Sequence, residues 1–476
     1  MPTTEQRAPA VRSVQRSIVV VVACAAALFA ITTFIHRYGL PDLAVHHAAV
    51  RSWAGGDGLY AYRAPDTGRG TTLSPVAALA LVPLAFVPLW TAGVLLGVAG
   101  VGALVLALVA LVAPVARRYR RRRWPAVFAA VALALTVEPV RAALGRGDLD
   151  LLTFGLIIAD VVALRRGAWM RSRATWRPAG VSRSADLFRR GWVNGAWAGV
   201  GTGVAAALTA RPVLFLGYLA VTRQWRAALT GLATTATLLA AAALVAPHQT
   251  VVWATGVLWR LDGVDDVGNQ SLAGVLARLY DSATTPLLLW FSFAMLMVAV
   301  GMIRARAAHA DGDEIAAFVL VGLTGAIVGP ISETYALVWV LPAILILVDA
   351  AAAQWAVHRH RPRPSHAATP RRSWSCGWPY AALRPFSSNH NSKIAVMGKR
   401  GRVYAAAAAL VYLLFVTAPM ESFGGPLAAN AFALAMILLV NAVPHRPGVA
   451  PAFPVNRWAK RARRPQPIPP ARRPVA

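Results

Sequence analysis

Asp42 and His46 stand four residues apart in Pro41-Asp42-Leu43-Ala44-Val45-His46-His47. A helix over 42–53 puts them on one face. A carboxylate there can take the proton of a hydroxyl group within hydrogen-bond reach. It can equally do no more than cap the helix, since Asp beside Pro is a common helix start. His46 and His47 by themselves read as polar residues at an interface, and a metal site needs ligands this loop does not supply. Other side chains that could do chemistry are scattered: Glu138, Arg141, Arg146, Asp148, Asp150, Arg211, Asn269, Gln270, Glu333, Tyr335 and Glu421. Glu138 and Arg141, three apart, read as a structural pair. Arg146, Asp148 and Asp150 can form a structural ion network. Ser271 reads as a helix cap.

These residues need elements to bring them together, and the composition says which. The chain of 476 residues is 57% hydrophobic and only 14% charged, too few charges for an ordinary soluble protein. Lys and Arg number 48 against 19 Asp and Glu. That excess suggests an anionic partner, but the apolar runs are too long for a nucleic-acid domain, so no nucleic acid is expected. Two cysteines supply no disulfide framework. The fold class expected is all-α: a polytopic transmembrane bundle of about 12 spans near 18–35, 90–115, 125–141, 148–165, 193–210, 211–222, 226–246, 286–303, 313–329, 334–353, 403–418 and 427–443. The apolar segment 73–88 carries Pro75, Pro83 and Pro88 and reads as an interfacial or re-entrant helix on the outer side. With both termini cytoplasmic, the inner segments hold 39 of the 48 basic residues, while 12 of the 19 acids fall outside. The charge is then chiefly an orientation signal. Charge in hydrocarbon costs roughly 2.5–3.5 kcal/mol or more, so the ionisable groups at the outer boundary should face a watery cavity.

The domain order expected is a cytoplasmic N-terminus (1–17), a transmembrane core (18–353), a basic flexible linker (354–402), two further helices (403–443) and a Pro/Arg-rich cytoplasmic tail (444–476).

Several motifs resemble those of a known family. They are Asp42-Leu43-x-Val45, the turn Gly55-x-x-Gly58-Leu59-Tyr60 and the helix start Ser74-Pro75-x-x-Ala78-Leu79. Gly145-Arg146-Gly147-Asp148-Leu149, Arg211-Pro212-x-Leu214-Phe215, Asn269-Gln270-Ser271-Leu272 and Pro330-Ile331-Ser332 with Trp339 follow in order. Together, over about 40–350, they resemble glycosyltransferase family 87, the actinobacterial polytopic enzymes of GT-C architecture that include polyprenol-phosphate-mannose-dependent α-1,2-mannosyltransferases. The resemblance implies a lipid-linked sugar transferase in the plasma membrane with its site on the extracytoplasmic side. It moves a sugar, mannose on this reading, from a polyprenyl-phosphate donor to a glycolipid or lipoglycan hydroxyl.

By resemblance Asp42 is the general base of an inverting transfer. Arg211, with Arg146 second, stabilises the departing lipid phosphate; Arg211 can also be an interfacial anchor. His46, Asp148, Asn269, Gln270, Glu333 and Tyr335 complete the expected substrate and donor contacts. Tyr335 and Ala336 stand where the family carries paired histidines, and Arg146 and Asp148 where it often has Gln and Asn. No cofactor is expected, and a divalent cation is allowed but not indicated. The rival readings are a transporter or lipid flippase, whose ionisable groups should lie at the bilayer midplane, and a catalytically inactive relative.

Overall fold

The computed structural model describes residues 7–174, 195–259, 266–280, 286–359, 389–419 and 425–445. Glu421, most of the linker and the Pro/Arg-rich tail beyond residue 445 lie outside the described residues. The described chain is helical; its extended pairing is one antiparallel bridge between Asn269 and Glu333.

Helices α1 (Arg7–Tyr38) and α2 (Pro41–Ala54) are followed by α3 (Pro75–Ala85), α4 (Leu89–Arg118), α5 (Arg123–Leu135), α6 (Glu138–Arg146) and α7 (Asp150–Ala174). Next come α8 (Val200–Thr209), α9 (Val213–Val221), α10 (Trp225–Val245), α11 (Pro247–Thr255), α12 (Leu272–Leu279), α13 (Leu287–Ala310) and α14 (Glu314–Val328). A 3-10 segment, Thr334–Trp339, leads into α15 (Val340–Arg359), and α16 (Asn389–Thr417), a single turn over Pro426–Ala429 and α17 (Ala431–Ala442) follow. Among the described residues six helices are long and apolar enough to cross a membrane, or seven if one bent pair forms a single span. The protein is therefore a multi-pass membrane protein. Apolar α3, α8, α14 and α17 are shorter, with 10–17 residues.

The expected span 125–141 is not one straight helix. α5 stops at Leu135, and α6 restarts with Pro139 in its first turn, bent by 70°. Proline suits a first helical turn and breaks a helix interior. The linker expected over 354–402 is helical at both ends, where α15 runs to Arg359 and α16 begins at Asn389.

Two packed clusters organise the molecule. The larger joins α1, α4, α7, α14 and the 334–340 segment around Phe154, Phe215, Phe318 and Trp339. The ring centroids of Phe154 and Phe215 each lie 5.1 Å from that of Trp339. The smaller cluster joins α2, α3 and α11 through Val50, Leu59, Tyr60, Leu81, Trp253 and Val257. The C-terminal helices are packed on this bundle. Glu138 and Arg141 make the expected pair at 2.6 Å, the Tyr38 hydroxyl donates to Glu138, and Arg141 donates to the Val416 carbonyl on α16.

Two buried devices hold the helices that carry polar groups. Asp160, on α7 and 1% exposed, accepts the Gly201 and Thr202 amides at the start of α8. Those amides have no intrahelical partner, and a carboxylate at a helix N-terminus answers both their hydrogen bonds and the dipole. Gly147 ends α6 in the left-handed region, with φ +76°. A Cβ there would meet the Leu43 Cβ at 2.7 Å. Gly147→Ala is expected to destabilise the protein by about 1–3 kcal/mol, from backbone strain plus the clash. Thermal unfolding in detergent measures this, and an unchanged midpoint would remove Gly147 from the account.

Candidate active site

α2 presents the central carboxylate. Its preceding residue, Leu40, takes φ 55°, an unusual conformation for a branched side chain. The Leu40 amide donates to the Gly145 carbonyl at 3.0 Å, and its side chain fills the space that a Cβ on Gly93 would need. This fixes the entry to α2 against α4 and α6. No side chain caps α2; the Asp42 carboxylate is turned instead to Arg146, the last residue of α6. Arg146 Nε lies 2.6 Å from Asp42 Oδ2 and Nη2 lies 3.0 Å from Oδ1. This two-pronged pairing fixes the plane of the carboxylate as well as its place. The same Nη2 lies 2.9 Å from Glu333 Oε2, so one guanidinium joins two carboxylates from opposite parts of the chain.

Both carboxylates line a cavity of about 840 Å³. Its polar wall includes Asp42, His46, Arg63, Arg69, Arg211 and Glu333; its apolar wall includes Leu214, Trp253, Val257, Trp290, Val328 and Ile331. Arg69 and Asp266 pair at 3.1 Å at its exposed rim. Arg211, on the same cavity, donates to Asp150 at 2.7 Å. The Tyr335 ring is near both cations, 5.8 Å from the Arg146 guanidinium and 5.9 Å from that of Arg211, a favourable cation–π distance. Burial first, then the Asp42 charge, raises the pKa of Glu333 against the opposing pull of Arg146. Burial lowers His46 to about 4, with Asp42 pulling the other way.

The structure gathers Asp42, His46, Arg211, Asn269, Glu333 and Tyr335 on this one cavity. Three of the expected substrate contacts also have protein partners of their own. Asp148 is not among the residues that line the cavity; its carboxylate accepts the Asp150 amide at 2.8 Å at the start of α7. Gln270 is fully buried, donates to the Val267 and Ala429 carbonyls and accepts the Ala433 amide. Asn269 touches the cavity, but its amide is spent on Pro330, Ser271 and Ser332. The Asn269 amide, with the Gln270 backbone N–H donating to the Ser332 carbonyl, holds the 330–333 segment, and hence Glu333, in place. Ser271 caps α12 as expected, accepting the Gly274 amide. Arg146 pairs with both carboxylates and is not among the residues that line the cavity, whereas Arg211 is. Of the two readings left open for Arg146, Asp148 and Asp150, a mutual ion network does not form; the pairs are Arg146 with Asp42 and Glu333, and Arg211 with Asp150. Asp150, Thr71 and Asp266 were the residues whose roles the linear pattern did not reveal. Nothing local marks a partner 61 or 104 positions away.

Among the described residues no three His, Cys, Asp or Glu side chains gather to hold a metal ion. Arg146→Gln leaves two carboxylates facing each other without their shared cation. The expected result is a loss of about 1–3 kcal/mol, reduced from the fully buried case because the group is partly exposed. Thermal unfolding with and without Glu333→Gln measures it; the second substitution should recover part of the loss.

An all-helical membrane protein with a carboxylate and a cation facing one amphiphilic cavity is the class this geometry defines. The model of glycosyltransferase family 87 matches residues 72–330, more than half of the chain, and the protein belongs to that family: it is a membrane glycosyltransferase. A polyprenol-phosphate-mannose-dependent alpha-(1-2)-phosphatidylinositol mannoside mannosyltransferase of Mycobacterium tuberculosis is 26% identical over 326 residues, 64% of this chain and 69% of the relative. Its namesake from Mycolicibacterium smegmatis is 26% identical over 333 residues, with the same coverage. A polyprenol-phosphate-mannose-dependent alpha-(1-2)-phosphatidylinositol pentamannoside mannosyltransferase of Mycolicibacterium smegmatis is 24% identical over 303 residues, 61% of this chain and 64% of the relative. No solved structure matches. Arg146, Arg211 and Asn269 fall inside the matched stretch; Asp42, His46, Glu333 and Tyr335 fall outside it.

Proposed function

We propose that this chain transfers mannose from a polyprenyl-phosphate donor to a hydroxyl of a glycolipid at the outer face of the plasma membrane. The observation that carries the reading is the cavity that Asp42 and Arg211 both line, with the Tyr335 ring 5.8 Å from Arg146 and 5.9 Å from Arg211. Its apolar wall suits the isoprenoid next to the phosphate, and its polar wall suits sugars. In this reading the acceptor O–H gives its proton to Asp42. The oxygen bonds to the anomeric carbon as the carbon–oxygen bond to phosphate breaks, and the electron pair leaves on the lipid phosphate. Arg211 stabilises that charge. Attack opposite the leaving group turns a β-linked donor into an α-linked product.

Arg146 fixes the base, Glu333 accepts hydrogen bonds from sugar hydroxyls, and the Asn269 side chain with the Gln270 backbone holds the segment that carries Glu333. No cofactor enters these steps. The relatives' names motivate both the mannosyl donor and an acceptor of the phosphatidylinositol mannoside kind. The transmembrane bundle of GT-C type, with about 12 spans, α3 interfacial on the outer side and both termini cytoplasmic, belongs to the same reading; the basic inner segments support that orientation. Family membership favours transfer over the transport reading.

The test is direct. Full-length chain in lipid nanodiscs is given radiolabelled polyprenyl-phosphate mannose and a phosphatidylinositol mannoside. A labelled glycolipid whose new linkage is α supports the proposal. Retention of all label on the donor, or a β linkage, contradicts it.

A further inference from the structure

Thr71 is fully buried, so both its hydroxyl hydrogen and its lone pairs need partners. Its Oγ1 accepts the Leu73 amide at 3.3 Å and lies 3.0 Å from His46 Nδ1. That ring nitrogen is the acceptor available to its hydrogen among the described residues. If Nδ1 carried the proton instead, the Thr71 hydroxyl would hold two incoming donors and bury its own hydrogen unpaired, at a cost of about 1–3 kcal/mol. The hydroxyl therefore donates, Nδ1 accepts, and the neutral ring carries its proton on Nε2. Among the described residues Nε2 has no protein partner and is not sealed off, and His46 lines the cavity one helical turn from Asp42. Side chains at that spacing have Cβ atoms about 5–6 Å apart.

We propose that Thr71 sets the tautomer of His46, and that His46 Nε2–H recognises the oxygen next to the attacking hydroxyl, so that the acceptor must present two neighbouring hydroxyls. One hydroxyl donates its hydrogen to Asp42. Its neighbour accepts from His46. A carboxylate only accepts and this imidazole nitrogen only donates, so the pair reads a diol in one sense. Thr71 is a positioning residue, and His46 is a specificity residue. The inference rests on Asp42 as the base only for the identity of the first hydroxyl.

The test has two arms. Nitrogen-15 spectra of histidine-labelled full chain in nanodiscs, with His46→Ala identifying the resonances, report the tautomer near neutral pH without any substrate. The expected result is protonated Nε2 and bare Nδ1, lost in Thr71→Val and kept in Thr71→Ser. A protonated Nδ1 in the unaltered chain overturns the assignment. In the second arm, transfer to a phosphatidylinositol mannoside is compared with transfer to its analogue lacking the neighbouring hydroxyl. The unaltered chain should favour the intact acceptor in kcat/KM by about tenfold or more. His46→Ala and Thr71→Val should lose that preference, and Thr71→Ser should retain it. Equal preference in all variants overturns the recognition. Absence of transfer to either acceptor by the unaltered chain would overturn the proposed function and the diol recognition together, while the spectra still decide the tautomer.

Discussion

Asp42→Asn lowers the rate of sugar transfer by between about a hundredfold and ten-thousandfold, the range that a positioned general base contributes. The substitution is nearly isosteric. Asn keeps one oxygen to accept from Arg146, and Arg146 keeps Glu333 as a second anchor at 2.9 Å. What Asn lacks is the ability to take a proton. The loss should therefore fall on kcat, with KM little changed, as for an interaction made only in the transition state. Thermal unfolding of the variant separates this from a folding defect. Rates within a few fold of the unaltered chain would remove Asp42 from the chemistry.

Arg211→Gln is the second large effect, a loss of about 10²–10³ in kcat, as when one donor to a developing negative charge is removed. Arg211 is one-third exposed, while its partner Asp150 is 9% exposed. The substitution therefore also leaves a buried carboxylate without its cation. Arg211→Lys separates the two consequences. It restores charge but not the planar fork or the stacking on Tyr335, so it should recover stability more fully than rate. Single-turnover transfer and thermal unfolding, measured side by side, read the two quantities. Equal recovery of both would mean that Arg211 is structural.

What was legible in the chain is local or collective. The apolar runs and the basic loops mark a helical membrane protein, because both signals accumulate along the sequence. Asp42 and His46 share a face, Glu138 pairs with Arg141, and Ser271 caps its helix, because each relation spans four residues or fewer. The pairings that build the site are of another kind. Arg146 reaches Asp42 across 104 positions, Arg211 reaches Asp150 across 61, and Gln270 reaches Ala429 across 159. No periodicity encodes such a partner.

Nearness in sequence was misleading at Arg146-Gly147-Asp148. Gly147 turns the chain out of α6 there, so Arg146 joins α2 while Asp148 caps α7. Span ends were likewise hidden where a proline restarts a helix, as at Pro139, since hydropathy alone continues smoothly through the bend.

The most direct measurement is a structure of the inactive Asp42→Asn chain in nanodiscs with polyprenyl-phosphate mannose and a phosphatidylinositol mannoside bound. The account predicts the donor phosphate against Arg211, the isoprenoid along Trp253 and Trp290, and an acceptor hydroxyl within hydrogen-bond reach of residue 42 and in line with the anomeric carbon. A donor bound with its phosphate away from Arg211, or an acceptor whose nearest hydroxyl is out of reach of residue 42, would contradict it.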